Sequence, residues 1–341
     1  MTSDNRPGGD NLYLVAGATA LIVGVAAAYS CRPRNLISSV TRDLEGATVL
    51  VTGGNSGIGK AVALNLGQRG ARVLIGCRNL ESARDVCDRL GNDKCHVFSV
   101  DLANASSVET FTESIRKDTT LTGLQLLINN AGAMFEEEDK SADGWDRSMA
   151  VNHTGWVQVT RNLLPVLEKT AANSTKPVRV VNVGSTLEKG AKIPNNPENS
   201  AEWDNWIKVP MHPYSLFPAY ANAKMAMTAV TFHWANLLKE KKIDMMVVSP
   251  GMVNTSLPRF MPLWKRFISW PIRALLLRTP EKGAESILFA ALSPDAETGD
   301  YIRDLKPIQR TDNCSAAAKN PAVQKQVWEA TLRAIDARKQ R

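Results

Sequence analysis

Tyr220 and Lys224 stand four residues apart, a spacing that puts both side chains on one face if the segment is helical. A free phenol titrates near pH 10, too high for acid/base work at neutrality, and a neighbouring ammonium is a simple way to stabilise its phenolate. The pair is therefore a candidate proton donor and acceptor. Far upstream, glycine is concentrated in Thr52-Gly53-Gly54-Asn55-Ser56-Gly57-Ile58-Gly59-Lys60. Such a turn lets a pyrophosphate approach the backbone, and the amides of a following helix hold its charge. Residues 54–60 also fit G-x-x-x-x-G-K, the phosphate loop of nucleotide hydrolases. Ala61 stands where that loop needs a magnesium-binding hydroxyl, which favours a dinucleotide over a triphosphate.

These groups need a scaffold, and the pattern around them supplies one. An apolar run at 47–51 precedes the glycine turn and an amphipathic stretch at 58–69 follows it, predicting strand, turn and helix. Further strands are predicted at 72–76, 96–100, 124–128, 178–183 and 244–248, separated by helical patterns such as 81–90. That alternation implies an α/β fold, a doubly wound parallel sheet with helices on both faces. A chain of 341 residues, 44% hydrophobic and 22% charged, suits one large domain with additions at its ends. The net charge of +7 is dispersed among acids, which argues against nucleic acid as a partner. Cys31, Cys77, Cys87, Cys95 and Cys314 form no C-x-x-C pair, so they read as free thiols in a reducing compartment, and no metal site is expected.

With what lies downstream, the turn resembles the T-G-x-x-x-G-x-G motif of the classical short-chain dehydrogenases/reductases. Asn129-Asn130-Ala131-Gly132 is similar to that family's N-N-A-G, and Tyr220-Ala221-Asn222-Ala223-Lys224 to its Y-x-x-x-K. Ser185 and Asn152 occupy the places of its catalytic serine and asparagine, and Pro250-Gly251 with Val253 and Thr255 the segment that meets the nicotinamide. The matches keep the family's order over residues 44–291. The resemblance implies a Rossmann-type fold and an oxidoreductase acting on a carbonyl/alcohol pair. Tyr220 would be its acid/base, Ser185 would hydrogen-bond the substrate oxygen, and Asn152 would anchor a water that relays protons to Lys224. Lys224 would also hold the nicotinamide ribose. The implied cofactor site comprises Thr52, Gly53, Asn55, Ser56, Gly57, Ile58, Gly59, Arg78, Asp101, Leu102, Asn130, Ala131, Gly132, Tyr220, Lys224, Pro250, Gly251, Val253 and Thr255. The second strand ends without an acid, and Arg78 there suits a 2′-phosphate, so NADP(H) is expected over NAD(H).

At the C-terminal side, residues 279–284, 299–304 and 327–329 are similar to the retinol dehydrogenase branch, which implies a lipophilic substrate. A tethered reductase of small soluble carbonyls and a non-catalytic cofactor-binding scaffold are the alternatives. Gly184 departs from the branch, as does a longer interval between Ser185 and Tyr220 that carries Trp203 and Trp206. Residues 257–278, rich in aromatic and basic side chains, correspond to the family's substrate lid. Residues 12–29 carry no charge and as a helix would reach about 27 Å, enough to cross a bilayer. Arg32, Arg34 and Arg42 behind them place the remainder on the cytoplasmic side, and an acidic leader argues against a cleaved signal peptide. The expected organisation is a tail (1–11), a transmembrane anchor (12–29), a linker (30–44), the catalytic domain (45–310) and a C-terminal helical extension (311–341). Homodimerisation is left open.

Overall fold

β1 (Thr48–Thr52) is buried along its whole length and enters the glycine turn directly. In the computed structural model, which describes residues 44–91, 93–253, 277–303 and 314–338, six more strands join it in parallel. They are β2 (Arg72–Cys77), β3 (Cys95–Ser99), β4 (Leu126–Asn129), β5 (Val178–Val183), β6 (Ile243–Ser249) and β7 (Tyr301–Arg303), in the order β3-β2-β1-β4-β5-β6-β7. The direction of winding reverses between β1 and β4. In such sheets the crevice beyond the strands' carboxyl ends at that switch is where a ligand binds.

Helices α1 (Gly57–Gln68), α2 (Leu80–Leu90), α3 (Ala105–Lys117), α4 (Gly155–Ala172), α5 (Ser200–Lys208), α6 (Leu216–Leu238), α7 (Pro280–Leu292), α8 (Ala316–Lys319) and α9 (Pro321–Arg338) flank the sheet. Residues alternate along each strand between two cores. Leu50, Leu74, Leu127 and Val180 face one with α3, α4, α6 and α9, while Val49, Val51, Ile75 and Ile128 face the other with α1 and α7. Burial on both faces explains why these strands read as continuous apolar runs. Val327, Ala330, Ala334 and Ile335 of α9 lie inside the first core, as does fully buried Trp203 of α5 in the long interval before Tyr220.

A polar chain crosses this apolar interior. Asn129 Nδ2 donates to Asn182 Oδ1 at 2.8 Å and to Thr160 Oγ1 at 3.0 Å, and Asn182 Nδ2 donates to Thr231 Oγ1 at 2.9 Å. β4, β5, α4 and α6 are thus tied together just beneath the carboxyl ends of the strands.

The structure differs from the sequence reading in three places. β7 was not expected: three residues are too short for a periodic signal, and pairing with β6 alone defines it. β4 starts later than the predicted 124–128, although Leu124 is still buried, because its amide turns to Thr170 Oγ1. Cys87 and Cys95 are joined by a disulfide, which corrects the expectation that all five cysteines are free thiols. The chain doubles back from α2 into β3 and brings their Cα atoms to 5.0 Å, a closure that no C-x-x-C search would find. Disulfides persist in oxidising surroundings, so the thiol argument for a reducing compartment lapses. Cys77 and Cys314 are buried and stand outside this disulfide. Among the described residues no helix is long and apolar enough to cross a membrane, and residues 12–29 lie outside them.

Candidate active site

The glycine turn is built by close approach. Gly53 and Gly57 have φ of +67° and +53°, the left-handed region that favours glycine. Gly59 is needed for another reason, since a Cβ there would lie 2.2 Å from Gly53 O and 2.4 Å from Asn130 Nδ2. Thr52 Oγ1 accepts from the amides of Asn130 and Ala131 at 3.0 and 3.1 Å, and Asn130 Nδ2 donates to Thr52 O at 2.9 Å, so two of the motifs form one unit. Ser56 caps α1 without using its side chain, is exposed, and no acid occupies the first helical turn. Uncapped amides on a glycine-lined bend fit a pyrophosphate.

Beside the turn, Asn55 Nδ2 donates to Ser82 Oγ at 2.8 Å, linking it to the start of α2, which Asn79 caps. Arg78, immediately before that cap, is exposed and makes no ion pair among the described residues. Asp101 follows β3 and accepts from Ala103 N at 3.0 Å, while the carbonyl of Leu102 would lie 2.5 Å from any Cβ on Gly155. The adenosine end of a bound dinucleotide would thus be bordered by β2 and β3 and the turn that follows each.

At the other end, α6 delivers Tyr220 and Lys224, both buried, with Lys224 Nζ 5.6 Å from the tyrosine ring centroid. Nζ donates to Val183 O at 2.7 Å, and Tyr220 neighbours Ser185, which stands two residues beyond β5 and whose Oγ accepts from Leu187 N at 3.2 Å. Burial pushes the phenol well above its ordinary range, with the Ser185 contact opposing weakly. It pulls the Lys224 ammonium down to about 7. Asn152 sits in a π-helical turn (Ala150–Thr154), where it accepts from Ala133 N at 3.0 Å and donates to Ala133 O at 2.8 Å and Ser148 O at 2.9 Å. Gly132 keeps this meeting point open, because a Cβ there would lie 2.9 Å from Asn152 Oδ1 and 3.6 Å from Lys224 Nζ. Residues far apart in sequence therefore surround a cradle at the switch point, with amides at one end and a buried amine at the other. This fits a dinucleotide whose reactive ring lies near Tyr220.

A profile of the short chain dehydrogenase family matches residues 47–196. Retinol dehydrogenase 12 of Homo sapiens is 32% identical over 301 residues, covering 86% of this chain and 88% of that protein. The chain belongs to the short-chain dehydrogenase family. Retinol dehydrogenase 11 of Mus musculus (30%, 84% of this chain and 85% of the relative) places it in the retinol dehydrogenase branch, and polyprenol dehydrogenase of Mus musculus is 29% identical over 84% and 83%. Among solved structures, the RhlG/NADP complex of Pseudomonas aeruginosa aligns with TM-score 0.59 and 26% identity over 77% of this chain and 96% of that one. The 3-ketoacyl-(acyl-carrier-protein) reductase of Brucella melitensis, complexed with NADH, gives 0.59 and 25% over 76% and 97%. The protein is an oxidoreductase acting on CH-OH or C=O groups with a nicotinamide cofactor.

In this dehydrogenase the two departures from the branch have physical explanations. Gly184 is enforced, since a Cβ there would come within 2.6 Å of Val247 Cγ1. The long interval between Ser185 and Tyr220 folds as α5 and its flanks, and Tyr214 OH within it donates to Phe135 O, three residues beyond Gly132, at 2.8 Å. Pro250 and Gly251 follow β6, and Val253 forms a parallel bridge with Arg278, whose amide donates to Met252 O at 2.9 Å. Val253, four residues before the expected lid, is therefore paired with Arg278 at its end, while Thr255 and residues 254–276 lie outside the described residues. Sequence reasoning missed the Val183 and Phe135 carbonyls, because a backbone acceptor has no residue type to read. It also missed exposed Leu187, Phe217 and Met252.

Proposed function

We propose that this enzyme is a membrane-anchored, NADP(H)-dependent reductase of lipophilic aldehydes or ketones. NADPH, when bound, would supply hydride for the carbonyl carbon. Tyr220, held neutral by burial, is poised to give its proton to the carbonyl oxygen, and neighbouring Ser185 to donate to the same oxygen. Lys224 and Asn152 hold the floor of the cradle. Arg78, exposed and without an ion pair among the described residues, is available for a 2′-phosphate.

The substrate class rests on one observation. Five large apolar side chains are exposed among the described residues, and three of them flank the reacting groups: Leu187 two residues after Ser185, Phe217 three before Tyr220, and Met252 next to Gly251. Exposed apolar side chains next in sequence to the polar reacting groups suit a lipophilic carbonyl, and the relatives named for retinol and polyprenol agree with it. The uncharged segment 12–29 supplies the anchor. The test follows NADPH absorbance with the full-length protein in detergent, offering retinal, a steroid ketone and a prenyl aldehyde against small aldoses. Turnover confined to the lipophilic carbonyls is expected, and faster reduction of the aldoses would overturn the assignment.

A further inference from the structure

Asn152 is followed by His153, a fully buried side chain in the same π-turn, packed edge-on against Trp156. Its Nε2 lies 2.7 Å from Thr331 Oγ1, on α9 and 178 residues away in sequence. The Thr331 hydroxyl donates its proton to Val327 O at 2.6 Å, so towards His153 it can only accept. Nε2 therefore carries the imidazole proton, which fixes the tautomer, and Nδ1 is left without a hydrogen-bond partner. Complete burial, helped by the Lys224 charge, pulls the ring's pKa down to about 3, so the contact stays unchanged across neutral pH.

A π-turn is a rare, widened piece of helix that needs outside support. The side chain of Asn152 braces one side of it against Ala133, and Thr331 holds the other through His153. The same C-terminal segment grips the serine side of the site. Ser315 N donates to Glu188 Oε1 at 2.7 Å, and Glu188 lies in the 3-10 turn (Thr186–Gly190) that Ser185 initiates.

We propose that His153, held by Thr331, is a positioning residue through which the C-terminal helix α9 sets the turn carrying Asn152 against Gly132 and Lys224. This rests on the reading of Asn152 and Lys224 as members of the reactive site. His153 itself touches neither reacting group, so its effect passes through the backbone of the turn. Helix α9 is then part of the catalytic apparatus, although the resemblance that marks this region assigns it no role.

The experiment compares Thr331→Val, Thr331→Ser and Asn152→Ala in the full-length protein, using NADPH with retinal or whichever carbonyl of the screen above is reduced fastest. Thr331→Val removes the acceptor while keeping the shape, and a fall of roughly tenfold in kcat is expected, with the KM for NADPH within about twofold. Thr331→Ser retains the hydroxyl and should restore kcat. A purely structural contact would lower the melting temperature and leave kcat of the folded enzyme alone, and that result overturns the inference. The imidazole proton of His153, observed by NMR, provides a readout independent of turnover: it should exchange slowly in the wild type and quickly in Thr331→Val. Unchanged protection would likewise overturn the assignment. If Asn152→Ala cripples turnover while Thr331→Val does not, only the positioning role falls; if Asn152→Ala is silent, the reading of the site falls with it.

Discussion

Replacing Gly59 by alanine asks the most of the glycine turn. The new methyl would stand 2.2 Å from Gly53 O and 2.4 Å from Asn130 Nδ2, whereas carbon meets such atoms comfortably at about 3.5 Å. Helix α1 or the turn must therefore retreat by roughly 1 Å. Asn130 Nδ2 cannot follow without losing its bonds to Thr52 O at 2.9 Å and Gly53 O at 3.4 Å. Overpacking costs about 1–3 kcal/mol and the better of the two bonds about 1 kcal/mol, so a loss of about 3 kcal/mol is expected. For a domain of this size that lowers the melting temperature by roughly 6–12 °C. Because the retreat pulls the α1 amides off the bend, NADPH affinity should fall by more than tenfold. Gly46→Ala is the control: it also has positive φ, at +74°, but no heavy atom lies within 4 Å of its Cβ, so it should cost about 1 kcal/mol and leave binding intact. Differential scanning fluorimetry and quenching of NADPH fluorescence report the two quantities. Wild-type cofactor affinity in Gly59→Ala would refute the argument that close approach at this turn builds the cofactor site.

Four further outcomes are expected. Tyr220→Phe should bind NADPH normally and lose nearly all turnover, and wild-type rates in that variant would remove the proton donor from the scheme. Arg78→Asp should weaken NADPH by about ten- to a hundredfold, the worth of one charge-assisted contact, while NADH binding stays level or improves; unchanged NADPH affinity sinks the cofactor preference. Lys224, pulled down to about 7, is charged below that pH and neutral above it. Reductive kcat/KM should therefore be level at acid pH and decline through about 7, and a profile flat to pH 9 would show that its charge is not required. Finally, if 12–29 is the proposed anchor, Arg32, Arg34 and Arg42 behind it would put the catalytic domain on the cytoplasmic face, and the sequons at Asn104 and Asn173 should remain unglycosylated in cells. Glycan on either would place the domain in the lumen, the side that the Cys87–Cys95 disulfide favours.

Six of the seven strands were legible because a parallel sheet covered on both faces demands continuous apolar runs, and 178–183 or 244–248 can be little else. The glycine turn was legible for a similar reason, since a backbone that must approach another backbone can tolerate only glycine. Contacts made by backbone atoms left no such trace. Lys224 is held by the carbonyl of Val183, and nothing about a valine in a strand announces that. Nor does a local pattern show that α9, near the end of the chain, packs in the main core behind the π-turn. The disulfide was missed because it depends on where α2 hands the chain to β3, which is a matter of tertiary path.

The acid/base pair shows a balance that residue type and spacing alone do not reveal. Four-residue spacing suggests that the Lys224 ammonium stabilises the Tyr220 phenolate and lowers the phenol's pKa. In the folded protein Nζ instead faces the ring at 5.6 Å and bonds to Val183 O, and desolvation dominates both groups. The phenol rises and the ammonium falls, each moving towards its uncharged form. Burial at this point on α6 costs a charge more than a neighbour at that distance returns. A phenol that keeps its proton is prepared to donate rather than accept. In the proposed reduction a carbonyl oxygen gaining electron density would draw that proton from Tyr220.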